Sequence, residues 1–202
     1  MIICNDIGFV HIPKTAGSSI RKALITSRKC YYIAKVISPD KDIRDNNNRH
    51  DAHLNPKEIS NVISTLRLFT CVRNPWDRLV SWYAFRKEER FRKFPDFVRQ
   101  LYGVDPEVVM DNERSSLQTA KAVSLQGSYL ESISFDFVMR MESLEVDWKV
   151  IQEWLGSPVP LPRINTSSHL HYLTFDWSNG LKELVAERES YMINRFGYKF
   201  GE

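Results

Sequence analysis

Glycine is scarce in this sequence, at 8 of 202 residues, and cysteine scarcer still, at 3. No glycine stands where a phosphate loop of the form GxxxxGK[ST] needs its first one, and Lys14-Thr15 precedes Gly17 instead of following it. A standard ATP loop is therefore excluded. Cys4, Cys30 and Cys71 are odd in number and far apart, and two of them lie in apolar strand-like runs. That pattern fits neither a disulfide framework nor a zinc site, and predicts reduced core residues of a cytoplasmic protein. Long apolar runs are absent too. The opening MIICND turns polar after four positions, and nothing approaches the roughly 20 apolar residues of a membrane-spanning helix. Neither sign of charge dominates: 28 Lys and Arg face 25 Asp and Glu, a net charge of +3. This is too small to argue for a nucleic-acid partner, although it suits anionic ligands. What remains is ordinary globular composition, 43% hydrophobic and 26% charged, with no repeat and a length that fits one domain over residues 1–202.

The most informative stretch is residues 7–20, IGFVHIPKTAGSSI. Ile7, Phe9 and Val10 read as a short buried strand, Pro13 and Gly17 punctuate a loop, and Ser18 or Ser19 is expected to cap a helix running through Ile20, Ala23 and Leu24. Backbone N–H groups at such a helix start, with the positive end of the helix dipole, favour a phosphate or sulfate. Lys14 adds a full charge, and Thr15, Ser18 and Ser19 add hydroxyls.

A polar, Asn-rich loop is expected over residues 38–48, followed by Arg49-His50-Asp51-Ala52-His53 just before a helix start at Asn55-Pro56. An imidazole there can take a proton from a hydroxyl near neutral pH. Residues 66–72, LRLFTCV, read as a second buried strand, and RNPWDRLVSWY follows. Asn74 can cap a helix, Pro75 suits its first position, and Trp76, Leu79, Val80 and Tyr83 form its apolar stripe. Arg73 then lies at the carboxyl end of a strand, where open α/β sheets bind ligands, with Ser81 about two turns into the helix. Taken alone, Arg73 also fits a structural ion pair and Ser81 a packing role. Residues 85–94 mix basic and aromatic side chains and read as a solvated helix end. A third strand is expected over 135–139, a helix over 146–155 stopped by Gly156, and one terminal helix from about 178.

The PKTAGSS loop closely resembles the 5'-phosphosulfate-binding loop of sulfotransferases that use 3'-phosphoadenosine 5'-phosphosulfate (PAPS), above all their carbohydrate branch. Arg73 followed eight residues later by Ser81, in VRNPWDRLVSWY, resembles that family's 3'-phosphate motif. His53 to Ile59 fits the family form HxxxxEI; Gln126, Tyr129 and the Arg140-x-Glu142-x-Leu144 run match softer features, and Asn165-x-Ser167 matches a segment that closes over the nucleotide. The resemblance implies that Lys14, Thr15, Ala16, Gly17, Ser18 and Ser19 hold the phosphosulfate, that Arg73 and Ser81 hold the 3'-phosphate, and that Asn165 and Ser167 add cofactor contacts. It also implies that His53, with His50 as substitute, is the general base. A soluble bacterial or viral member is expected, because animal members typically carry an N-terminal membrane anchor.

The resulting expectation is a three-layer α/β fold with a mostly parallel central sheet, of the kind shared with P-loop kinases, and PAPS-dependent sulfuryl transfer to a hydroxyl, above all of a carbohydrate, with no metal. Two rivals stand beside it: a nucleotide-dependent kinase of related topology, which should show the ATP loop this chain lacks, and a non-catalytic module that binds an anionic ligand and has no use for His53.

Overall fold

The computed structural model describes residues 1–27, 30–32, 66–86, 93–102, 125–164, 171–178 and 180–202. His50, His53, Asn165, Ser167, the loop expected at 38–48 and the helix expected from 55 lie outside the described residues. The chain divides into two compact units, one of Met1–Val72 with Ser128–Asn165, the other of Arg73–Gly127 with Thr166–Glu202.

The first unit is built on a sheet of order β3-β1-β2-β4-β5, comprising β1 (Ile2–Cys4), β2 (Ile7–Val10), β3 (Cys30–Tyr32), β4 (Arg67–Val72) and β5 (Phe137–Arg140). Strand β1 is an addition to the strands expected from sequence. Asn5 takes a positive φ of 55°, which a short amide side chain tolerates, and so closes a tight hairpin that pairs Ile2 with Phe9 and Cys4 with Ile7. β1 runs antiparallel to both of its neighbours, while β2, β4 and β5 pair in parallel. All the described strands except β1 therefore share one direction, as the alternation of strands and helices predicts.

One face of this sheet presents Ile2, Cys4, Ile7, Phe9, Phe69, Cys71 and Met139, buried together with Ile20, Ala23 and Leu24 of α1 (Gly17–Thr26) and with Trp148 and Ile151 of α5 (Leu144–Leu155). Alternate residues of each strand reach this face because the side-chain period of a strand is two. Gly156, at φ 60°, ends α5 in the left-handed region, as its position after the apolar stripe predicts. The proline-rich segment beyond it is then tied down by two donors to one carbonyl: Trp148 Nε1 and Gln152 Nε2 bond Val159 O at 2.7 and 2.8 Å.

Cys4 overturns the expectation that all three cysteines stay reduced. It is disulfide-bonded, and the residue facing it in the β1–β3 register is Cys30. Sequence separation hides this proximity, which the sheet creates by laying β3 beside β1. Cys71 lies buried outside any disulfide. Disulfides are rare in reducing compartments, so the cysteines do not mark this as a cytoplasmic protein.

The second unit comprises α2 (Pro75–Arg86), α3 (Phe94–Leu101), the start of α4 (Gln126–Ser132), α6 (Leu181–Arg188) and α7 (Ser190–Phe196). Asn74 caps α2 as predicted, its Oδ1 accepting from the Trp76 and Asp77 N–H groups at 3.1 and 3.4 Å. Phe94, expected on a solvated stretch, is buried instead. Its ring meets Phe175 and Trp177 at centroid distances of 5.0 and 4.8 Å, because α3 begins there and needs an apolar anchor. The expected single terminal helix is two helices, α6 and α7, broken at Glu189. Burial of that carboxylate against Arg78, at 3.3 Å, favours the break over a continuous helix.

Candidate anion-binding site

In the first unit, β2 leads through His11 to Ala16 into α1. The expected serine cap is not what the structure shows. Ala16 is the N-cap, it lies in the left-handed region at φ 63°, and it supplies no side-chain hydrogen bond. Ser18 and Ser19 consequently fall inside the first turn. Lys14 is also left-handed, at φ 69°. Each such non-glycine residue costs about 1–2 kcal/mol, so the loop holds strain that a plain connecting turn has no reason to keep. Backbone that alternates into the left-handed region turns successive N–H groups toward one concavity, a form that accepts anions.

Three further contacts fix the loop. The Thr15 hydroxyl, wholly buried, donates to the Ile12 carbonyl at 2.8 Å, so its proton serves the loop itself. The Ser19 hydroxyl oxygen accepts the Ile164 N–H at 3.1 Å, which tethers the chain just before the expected Asn165-x-Ser167 segment to the first turn of α1. Gly17 carries no positive φ; a Cβ there would overlap the His11 ring, so any larger residue has to displace that ring. His11 also stacks on Phe9, with centroids 5.9 Å apart. Its place beside the helix start was not anticipated, although the sequence offers a signal in a histidine between the strand and the loop.

In the second unit, Arg73 follows the last residue of β4 and is 8% exposed. Its Nε donates to Asp77 Oδ2 at 2.7 Å, a contact between side chains one helical turn apart. Its backbone N–H and C=O are both taken by the carboxamide of Gln126, each at 2.9 Å. Ser81 is buried on the same helix. Asp77 and Gln126 were not anticipated as partners of Arg73. The Asp four residues on is legible in the sequence; Gln126, 53 residues away, is not.

The structure thus sets Lys14, Thr15 and Ala16 in a strained loop and Gly17, Ser18 and Ser19 in the first turn of α1, and sets Arg73 just before α2 with Ser81 about two turns into it. Among the described residues no group of three or more His, Cys, Asp or Glu is placed to hold a metal ion, and no helix is long and apolar enough to cross a membrane.

The chain is thus a mixed α/β protein with a mostly parallel sheet and a strained, lysine-bearing loop at the start of α1. The chain belongs to the sulfotransferase family, whose family model matches residues 4–187. Membership makes it a transferase and gives sulfuryl transfer to a hydroxyl-bearing acceptor as its class of activity. Comparison with curated proteins and with solved structures gives no significant match.

Proposed function

We propose that this protein transfers a sulfuryl group from PAPS to a hydroxyl of a carbohydrate, as one domain over residues 1–202 with the three-layer α/β architecture shared with P-loop kinases. The observation that carries the reading is the β2–α1 loop, in which two left-handed non-glycine residues, Lys14 and Ala16, precede a helix start without a side-chain cap. The phosphosulfate would meet Lys14, Ser18 and the backbone of residues 14–19, with Thr15 contributing its N–H because its hydroxyl already donates to Ile12. Arg73 and Ser81 would hold the 3'-phosphate, and Asn165 and Ser167 would close over the nucleotide.

In the reaction the acceptor oxygen attacks sulfur in line. The bond from sulfur to the 5'-phosphate oxygen breaks, and PAP (adenosine 3',5'-bisphosphate) leaves. The acceptor proton passes to His53. Lys14 stabilises the negative charge gathering on the leaving phosphate, and alignment with charge stabilisation is the main demand of such a transfer. The protein is read as a soluble bacterial or viral member of the carbohydrate branch.

A transfer assay with radiolabelled PAPS across polysaccharides, oligosaccharides and small alcohols tests this directly. Label should reach a carbohydrate, and His53→Ala should cut turnover about a hundredfold or more while leaving nucleotide affinity nearly unchanged. Label on a non-carbohydrate alcohol alone would move the acceptor class. Loss of nucleotide binding in His53→Ala would remove it as the base. Binding of ATP that depends on magnesium, with no transfer from PAPS, would favour the kinase.

A further inference from the structure

Past Val72 the pairing of β4 with β5 ends, at the register pair Val72 and Arg140. The next residue, Arg73, lies past the end of that register, yet its backbone N–H and C=O are both satisfied. The Gln126 carboxamide accepts from the Arg73 N–H and donates to the Arg73 carbonyl, at 2.9 Å each. These are the two hydrogen bonds a neighbouring strand would have provided. Gln126 is wholly buried, so neither bond is shared with bulk water. A bidentate clamp of this kind holds the two peptides that flank the Arg73 Cα, and with them the direction in which the Arg73 side chain leaves the backbone.

The clamp is itself supported. Glu189, 2% exposed, pairs with Arg78 at 3.3 Å, and the Gln126 backbone is among the groups that favour its charged form against the larger effect of burial. Asp77 fixes the other end of Arg73 by taking its Nε. The arginine is thus held at the peptide by Gln126 and at the guanidinium by Asp77, with Glu189 and Arg78 behind the clamp. A packing glutamine has no need of both bonds to one residue's backbone, and a surface arginine has no need of either restraint.

We propose that Gln126, backed by the Glu189–Arg78 pair, is a positioning residue that aims Arg73 at the 3'-phosphate of the nucleotide. The proposal rests on the 3'-phosphate role given to Arg73 under the proposed function. It assigns selectivity for a 3'-phosphorylated nucleotide to a residue that need not touch that nucleotide. Arginine's fork holds a phosphate through two parallel bonds, and such bonds weaken sharply when the fork is turned away.

The test is calorimetric titration of the full chain with adenosine 3',5'-bisphosphate and with adenosine 5'-phosphate, read as the ratio of the two dissociation constants. Wild type should prefer the bisphosphate, and Arg73→Ala should bring the ratio close to one. Gln126→Met, matched in length but unable to form the clamp, should reduce the ratio tenfold or more while adenosine 5'-phosphate binds as before. Glu189→Gln, which keeps the shape but weakens the support, should give an intermediate ratio, and it decides the matter if Gln126→Met does not fold. A wild-type ratio in a folded Gln126→Met would overturn the positioning role, as would an equal loss of affinity for both nucleotides. A wild type with no preference would instead overturn the role of Arg73 itself.

Discussion

The two strand-to-helix junctions of this chain look alike in sequence and end differently. After β2 the helix starts on Ala16, which offers no side-chain acceptor, and the loop holds two non-glycine residues in the left-handed region. After β4 the helix starts on Asn74, whose Oδ1 takes the N–H groups of Trp76 and Asp77. The first junction has the backbone form that receives an anion. The second has used its first-turn donors on its own cap, so an anion there would have to be held by a side chain, the role proposed for Arg73. Strain marks the first junction, hydrogen-bonded restraint the second, and each follows from the kind of donor the junction presents.

The largest effect should come from Lys14, the one Lys, Arg, Asp or Glu among residues 11–19. Lys14→Ala should lower turnover about a hundredfold or more in the PAPS transfer assay. Lys14→Gly should lose as much activity and yet melt no lower than wild type, because glycine relieves the left-handed strain that lysine bears there. Normal turnover in either folded variant would strip the first junction of its role. At the second junction, Arg73→Ala should weaken adenosine 3',5'-bisphosphate by roughly tenfold to a hundredfold, the range for one charge-assisted interaction, and leave adenosine 5'-phosphate almost unaffected. Equal losses for both ligands would make the junction structural.

A smaller effect concerns Glu189. Burial pushes its carboxyl above the ordinary value, against the opposing pull of Arg78 and of the Gln126 N–H. The folded chain then keeps a proton that the unfolded chain has already released. The associated stability is full at low pH and is lost as pH rises from the ordinary 4.5 through the raised folded value. Glu189→Gln has no such proton to lose, so its melting temperature relative to wild type should climb across that window. A difference that stays flat with pH would show that the carboxyl titrates normally. The smallest effect is expected from Asn74→Ala, which should cost about 1 kcal/mol of stability for the lost cap. Ligand discrimination should stay intact, because the α2 start is closed by its own side chain. A loss of discrimination would mean that the two junctions bind anions in the same way after all.

Local chemistry determined much of this protein before any folding. The apolar runs of β2 and β4, the Asn74-Pro75 helix start and the Gly156 stop are each decided by a few adjacent residues, and each was legible as such. So was the strand-to-helix connection at residues 11–19, where lysine, hydroxyls and a helix start occur together in one short stretch. Its working detail was not, since nothing local says that Ala16 would turn left-handed and take the cap from the serines, or that the His11 ring would lie where a Cβ at 17 would go. Tertiary structure decided whatever joins residues far apart in the chain. The disulfide at Cys4 depends on which strand lies beside β1, the helix break at Glu189 on the guanidinium of Arg78 buried 111 positions away, and the clamp on Arg73 on Gln126, 53 positions on. Such pairings carry no periodic or neighbouring signal, because their partners become neighbours only when buried polar groups must find one another in place of water.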